Sequence, residues 1–138
     1  MRSLLLAGLL FFSFAAKAEQ KAVFDDYEVH YIVIPTTFLQ PEMAEKYGIE
    51  RSPRWSLLNI SVLENLTPIG ARVSATSKNL LSQTTELEFE EVREGLAVYY
   101  LALLRHSDEE VHQITVNVTF PDGSSGSVSF QQRLYHEG

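Results

Sequence analysis

The residues able to do chemistry are few: the chain has four histidines and no cysteine. His106, Asp108, Glu109, Glu110 and His112 lie close together. Two imidazoles and a carboxylate can converge on a transition metal at about 2 Å. Acids in a connection between strands are ordinarily solvated instead, and neither a metal nor another cofactor is expected. Nucleophilic catalysis needs a serine or cysteine beside a base and an orienting partner. There is no Gly-x-Ser-x-Gly elbow, and a trio of Ser52, Arg51 and His30 has nothing in its spacing to single it out. Glu86, Glu88 and Glu90 alternate and would share one strand face. Paired carboxylates can hydrolyse glycans, but like charges at this spacing also keep an edge strand soluble. No catalytic residue is assigned, and the balance is against an enzyme.

A charge contrast carries more. Lys46, Arg51 and Arg54 fall in one stretch of an otherwise acidic chain, beside Tyr47 and Trp55. A guanidinium among aromatic rings on an ordered loop suits a carboxylate or phosphate. Tyr47, Arg51, Ser52, Arg54 and Trp55 are therefore the expected ligand- or partner-binding residues. The same arginine can equally pin its loop by pairing with the protein's own acids.

The elements that must position these residues are strands. Seven segments alternate apolar and polar residues: 27–34, 55–64, 69–77, 84–92, 96–104, 111–120 and 127–135. Period-2 patterning between turn residues predicts an all-β, immunoglobulin-like antiparallel sandwich of about seven strands. The alternation slips at Glu90-Glu91, putting Val92 on the acidic face, which predicts a bulge. Segment 96–104 is apolar on both faces and is expected to be central and covered on both sides. Glu94-Gly95 and Pro121-Asp122-Gly123 predict tight hairpins. Asn59 falls within a strand, where its amide needs local partners.

One segment departs from this pattern. Pro41–Tyr47 predicts a short helix, with Pro41 and Glu42 suited to its start, Lys46 to its end and Gly48 to the left-handed stop. Met43, Ala44 and Tyr47 would share the face that packs on the sandwich. This helix lies in the first long connection, 35–55.

The N-terminus predicts an export signal: Arg2, an apolar run Leu4–Ala16, then Ala16-Lys17-Ala18. The run is too short to span a bilayer, which needs about 20 apolar residues. Cleavage after Ala18 leaves a single domain, 19–138, with no stable membrane anchor, because no cysteine can carry lipid. Loss of Arg2 and Lys17 leaves nine basic against 18 acidic residues, a net charge of −9. Such a surface repels nucleic acid.

The ordered set Tyr27-Glu28-Val29-His30-Tyr31, Thr36-Thr37-Phe38-Leu39, Pro41, Tyr47-Gly48-Ile49, Arg51-Ser52 and Leu58-Asn59-Ile60-Ser61-Val62 continues through Asn79-Leu80-Leu81, Gln83 and Leu87-Glu88-Phe89. Glu91-Val92-Arg93-Glu94-Gly95, Tyr99-Tyr100, Phe130-Gln131-Gln132 and Tyr135 complete it. Together they resemble domain of unknown function 4426, a family of small exported proteins from Gram-negative bacteria. The resemblance covers about Phe24 to Tyr135 and implies fold and location, with no activity attached. The expected function is a non-catalytic binding or interaction module of the periplasm and cell envelope, acting through loop 35–55 on an envelope protein. The alternative is a small-anion-binding protein or hydrolase with a pocket at the same end.

Overall fold

The computed structural model describes residues 20–136. The signal expected over 1–18 lies outside them. Ten strands run in chain order as β1 (Gln20–Phe24), β2 (Tyr27–Pro35), β3 (Trp55–Glu64), β4 (Thr67–Ile69), β5 (Arg72–Asn79), β6 (Thr84–Leu87), β7 (Glu90–Glu94), β8 (Ala97–Arg105), β9 (Glu110–Thr119) and β10 (Ser125–Leu134). They form two antiparallel sheets, ordered β1-β2-β3-β8-β7 with β4 on β3, and β10-β9-β5-β6. The all-β sandwich is as expected, but two segments read as single strands each supply strands to both sheets. Segment 69–77 divides at Gly70: β4 pairs with β3, and β5 with β9. Segment 84–92 divides after Leu87: β6 pairs with β5, and β7 with β8. The slip at Glu90-Glu91 is thus a change of sheet, not a bulge within one strand. Periodicity reports which face a residue takes, and a chain that crosses between sheets resets it.

The core between the sheets is built from one face of each strand. Val29, Leu58, Ile60, Val62, Ile114, Val116 and Val118 are all essentially inaccessible there. A second apolar layer covers the other face of the larger sheet. Ile32, Ile34, Leu57, Val92, Tyr99 and Leu101 meet Leu39, Ala44 and Ile49 of connection 35–55, with Met43 and Tyr47 packed alongside. This explains why β8 is apolar on both faces: β3 and β7 flank it, and a layer lies above and below. The cover also buries Asn59 on β3, whose Oδ1 has no hydrogen-bond partner.

The covering connection holds its shape by local bonds. A single 3₁₀ turn (Thr36–Phe38) precedes α1 (Pro41–Lys46), which has Pro41 in its first turn. Gly48, at φ +66°, donates to Glu45 O at 3.2 Å, and Ile49 N donates to Ala44 O at 2.8 Å. These two bonds are the paired closure of a Schellman stop, which needs the left-handed residue glycine supplies.

The two sides of the sandwich differ. On one side β1 and β2 close against β9 and β10 through rings: Tyr27 stacks on Phe120 at 4.2 Å, and Tyr31 lies 4.7 Å from Phe130. Gly126 on β10 leaves room for Phe24, whose ring atoms would stand 2.7 Å from a Cβ placed there. On the other side the chain itself crosses from sheet to sheet, and that side is open.

Candidate functional site

The opening follows from strand register. In antiparallel pairs, alternate residues turn both backbone polar groups toward a given neighbour. His106 N donates to Arg54 O at 3.0 Å, which continues the β3–β8 ladder and sets Leu104 and Ala102 toward β3. Leu101, Leu103 and Arg105 therefore turn their backbone groups to the opposite side. Leu101 meets Glu90 of β7 there, but β7 begins at Glu90. Continued, the same register would set Glu88 opposite Leu103 and Glu86 opposite Arg105. Those residues instead follow β6 into the other sheet. Four backbone groups of Leu103 and Arg105 are left facing an open edge with no ladder partner among the described residues.

A cleft of about 740 Å³ occupies this split. Its outer part is lined by Tyr47, Ile49, Trp55, Leu57 and Leu103. Glu86, Glu88 and Glu90 line the crossing segment, and Leu104, Ser77 and His112 the inner end. The volume lies in the range that small ligands occupy. The Arg105 guanidinium sits 5.8 Å from the centroid of the Trp55 ring, within cation–π range. Tyr47 donates its hydroxyl to Glu94 Oε2, which also receives Lys46 Nζ at 2.8 Å, fastening the end of α1 to β7.

Two of the five residues expected to bind, Tyr47 and Trp55, line the cleft. The other three build the connection beneath it. Arg51 donates from Nε to Leu39 O at 2.8 Å and from Nη2 to Thr37 O at 2.9 Å, so its partners are carbonyls and not the acids expected of it. Ser52 exchanges two bonds with buried Thr36, and its Oγ accepts from Arg54 N at 3.2 Å. Arg54 is exposed, and its carbonyl extends the β3–β8 ladder. The trio of Ser52, Arg51 and His30 is not assembled. His30 stands opposite Ser61, roughly 17 Å along the strand from Pro35 at about 3.3 Å per residue, and bonds Glu28 at 2.9 Å.

The histidine-rich connection folds into two separate relays. His112 Nε2 contacts Glu110 Oε1 at 2.9 Å. A carboxylate only accepts, so Nε2 carries the proton and Nδ1 accepts from the Ser77 hydroxyl. Burial raises the pKa of Glu110, but hydrogen bonds from His112 and from Ser107 N outweigh it and hold the carboxyl below its ordinary value. By the same logic His106 Nδ1 donates to Ser107 O at 3.0 Å, and Nε2 accepts from Ser56 Oγ at 2.8 Å. Burial pushes the pKa of His106 down. Among the described residues, no three His, Asp or Glu side chains converge as metal ligands.

The sequence offers Glu86, Glu88 and Glu90 either as paired carboxylates for glycan hydrolysis or as a solvent-facing row, and marks neither Ser77 nor Arg105. The acids carried a signal in the phase slip at Glu90-Glu91. Ser77 carried none, because its partner His112 lies on a different strand.

The family model for Domain of unknown function (DUF4426) matches residues 21–137. A solved DUF4426 family protein from Pseudomonas aeruginosa PAO1, PA0388, is 32% identical with a TM-score of 0.79, covering 87% of this chain and 97% of that one. Copper-bound FetP, a variant from uropathogenic Escherichia coli strain F11, is 13% identical with a TM-score of 0.57, covering 87% and 97%. FetP "as isolated", expressed in the periplasm of E. coli, gives 13% and 0.58, covering 88% and 96%. At that identity the FetP structures share the fold alone. No curated protein matches the chain.

Proposed function

The chain belongs to the family Domain of unknown function (DUF4426), and from that premise we propose a non-catalytic binding module that takes its ligand in the cleft between the split strands. The observation that carries this reading is the cleft itself. It is a cleft lined by Tyr47, Trp55 and Phe89 and bordered by acidic residues, at the end where connection 35–55 meets the sandwich. Glu88 and Glu90 against Arg105 turn the expected ligand charge from negative to positive. The working place is the periplasm, a reading supported by Arg2, the apolar run to Ala16 and the Ala16-Lys17-Ala18 site. N-terminal sequencing of protein from the periplasmic fraction tests it, with a start at Glu19 expected.

Trp55 is the chain's only tryptophan and lies in the cleft wall, so its fluorescence reports occupancy directly. Titration with a panel of cationic and anionic compounds tests the reading. A saturable response to cations, weakened by salt and in Glu88→Lys, supports it. No response to any compound would sink it.

A second reading comes from the relay of Ser77, His112 and Glu110. A serine hydroxyl on an imidazole that a carboxylate orients has the members of a serine hydrolase relay, with the two ring nitrogens exchanged: Ser77 meets Nδ1 and Glu110 meets Nε2. Ser77 is only 3% exposed, which favours a structural role. A fluorophosphonate probe separates the two. Labelling abolished by Ser77→Ala selects the hydrolase, and an unlabelled protein selects the binding module.

A further inference from the structure

We propose that the cleft's occupant is an extended peptide segment bearing lysine or arginine, added as a strand to the open edge of β8; this deepens the binding reading and rests on it. The edge is the first ground. Leu103 and Arg105 each present an N–H and a C=O toward the cleft, in the spacing a neighbouring strand would satisfy. Main-chain pairing of this kind supplies affinity in strand addition, and pockets for alternate side chains supply selectivity.

The second ground is that natural edges are ordinarily blunted, and this one has no ladder partner among the described residues. The residues that would have covered it, Glu86 and Glu88, pair instead with β5 or cross toward β7. Asn79 N donates to Gln83 O at 3.1 Å, which sets Ser77–Thr85 and Ala75–Leu87 as the bonded pairs of β5 and β6. Glu86 therefore turns its backbone groups away from β5, off the free edge of its own sheet. Two strand edges thus border the same cleft.

The third ground is charge. The crossing segment brings Glu88 and Glu90 to the cleft, both exposed, while Glu86, opposite Thr76, turns its side chain to the outer face of the smaller sheet. A strand entering there brings alternate side chains to the two faces of the sheet. One set meets Tyr47, Trp55 and Leu57, and the other faces Leu104 and His112. Ammonium or guanidinium groups on the segment would pair with Glu88 and Glu90, while an acidic segment would be repelled.

The test uses isotope-labelled protein as the host cell produces it and the probe peptide acetyl-Lys-Val-Lys-Val-Lys-Val-amide. Its comparators are the same peptide N-methylated at alternate residues, its Glu-Val counterpart, and spermidine. The expected result is a saturable Trp55 response with amide exchange at Leu103 and Arg105 slowed about ten-fold or more. Binding of the N-methylated and acidic peptides should weaken by a similar factor, as should binding of the probe to Glu88→Lys/Glu90→Lys. If the N-methylated peptide binds as well as its parent, or spermidine moves Trp55 while the peptides do not, strand addition is overturned and the binding reading stands. If Leu103 and Arg105 are already protected in a concentration-dependent manner without peptide, a second copy of the chain is the occupant and the proposal falls. If neither the peptides nor any compound moves Trp55, both readings fail together.

Discussion

The guanidinium of Arg51 holds the carbonyl of Leu39, with Nε donating at 2.8 Å, while Nη2 reaches Thr37 O at 2.9 Å. One side chain thereby closes the connection that covers the outer face of the larger sheet. Charged hydrogen bonds to carbonyls are worth more than neutral ones, though exposure at Arg51 weakens them. Arg51→Ala should cost about 1–2 kcal/mol and lower the Tm by roughly 4–8 °C. An unchanged melting curve combined with lost ligand response would make Arg51 a recognition residue instead.

Gly126 faces the Phe24 ring across the closed side of the sandwich. A methyl group there meets ring atoms at 2.7 Å, so the Phe24 ring must leave its place on the core. Gly126→Ala should destabilise by about 1–3 kcal/mol through overpacking. Phe24→Leu in the same background should recover part of the loss. Equal denaturation midpoints for Gly126→Ala and the wild type would show that β1 does not depend on this contact.

The turn between β3 and β4 holds Asn65 at φ 51° and Leu66 at φ 67°. Two left-handed residues in succession define a type I′ turn, for which Asn-Gly is the favoured pair. Leu66 is 76% exposed, so its side chain contributes little to offset the backbone strain. Relief of that strain exceeds the added freedom of glycine in the unfolded chain. Leu66→Gly should therefore raise stability by about 0.5–1 kcal/mol. Urea titration decides the matter, and a lower midpoint would contradict it.

His106 is buried and keeps a pKa below its ordinary value, with burial the main cause and the neighbouring His136 and His112 acting in the same sense. The unfolded chain therefore binds a proton before the folded one does. Stability from this group is complete above the unfolded value of about 6.5 and is lost as pH falls toward the depressed folded pKa. Glu110, whose folded pKa is also lowered, adds stability above its own unfolded value that is lost at still lower pH. Denaturation midpoints should fall between pH 7 and pH 5. His106→Gln should flatten that slope; an unaltered slope would assign it to other groups.

The legible part of this protein was local. Alternation in Leu58-Asn59-Ile60-Ser61-Val62 and in Ile114 to Phe120 marked strands within a residue or two of their observed limits. Pro41 and Gly48 bounded the helix, and Gly95 and Gly123 the hairpins, because each needs a backbone angle that few other residues take easily. β1 escaped notice because Gln20 and Lys21 break any apolar pattern, and Phe24 is the residue of that strand packed against the core. Asn59 was read as a polar strand residue needing partners. Connection 35–55 buries it, and its Oδ1 finds none.

From the sequence alone came strand character, turn positions, the helix within connection 35–55, family resemblance and an acidic surface. All of these depend on side-chain period, on single-residue backbone preferences or on composition, which act over a few neighbouring residues or add over the chain. The tertiary structure decided where the sandwich opens. That opening depends on Glu90 pairing with Leu101 while Thr85 pairs with Ser77, so that Leu103 and Arg105 have no ladder partner among the described residues. It also decided that Arg51 serves a loop and that Ser77 meets His112. Each outcome is a register between segments far apart in the chain, and a period of two is satisfied equally by many registers.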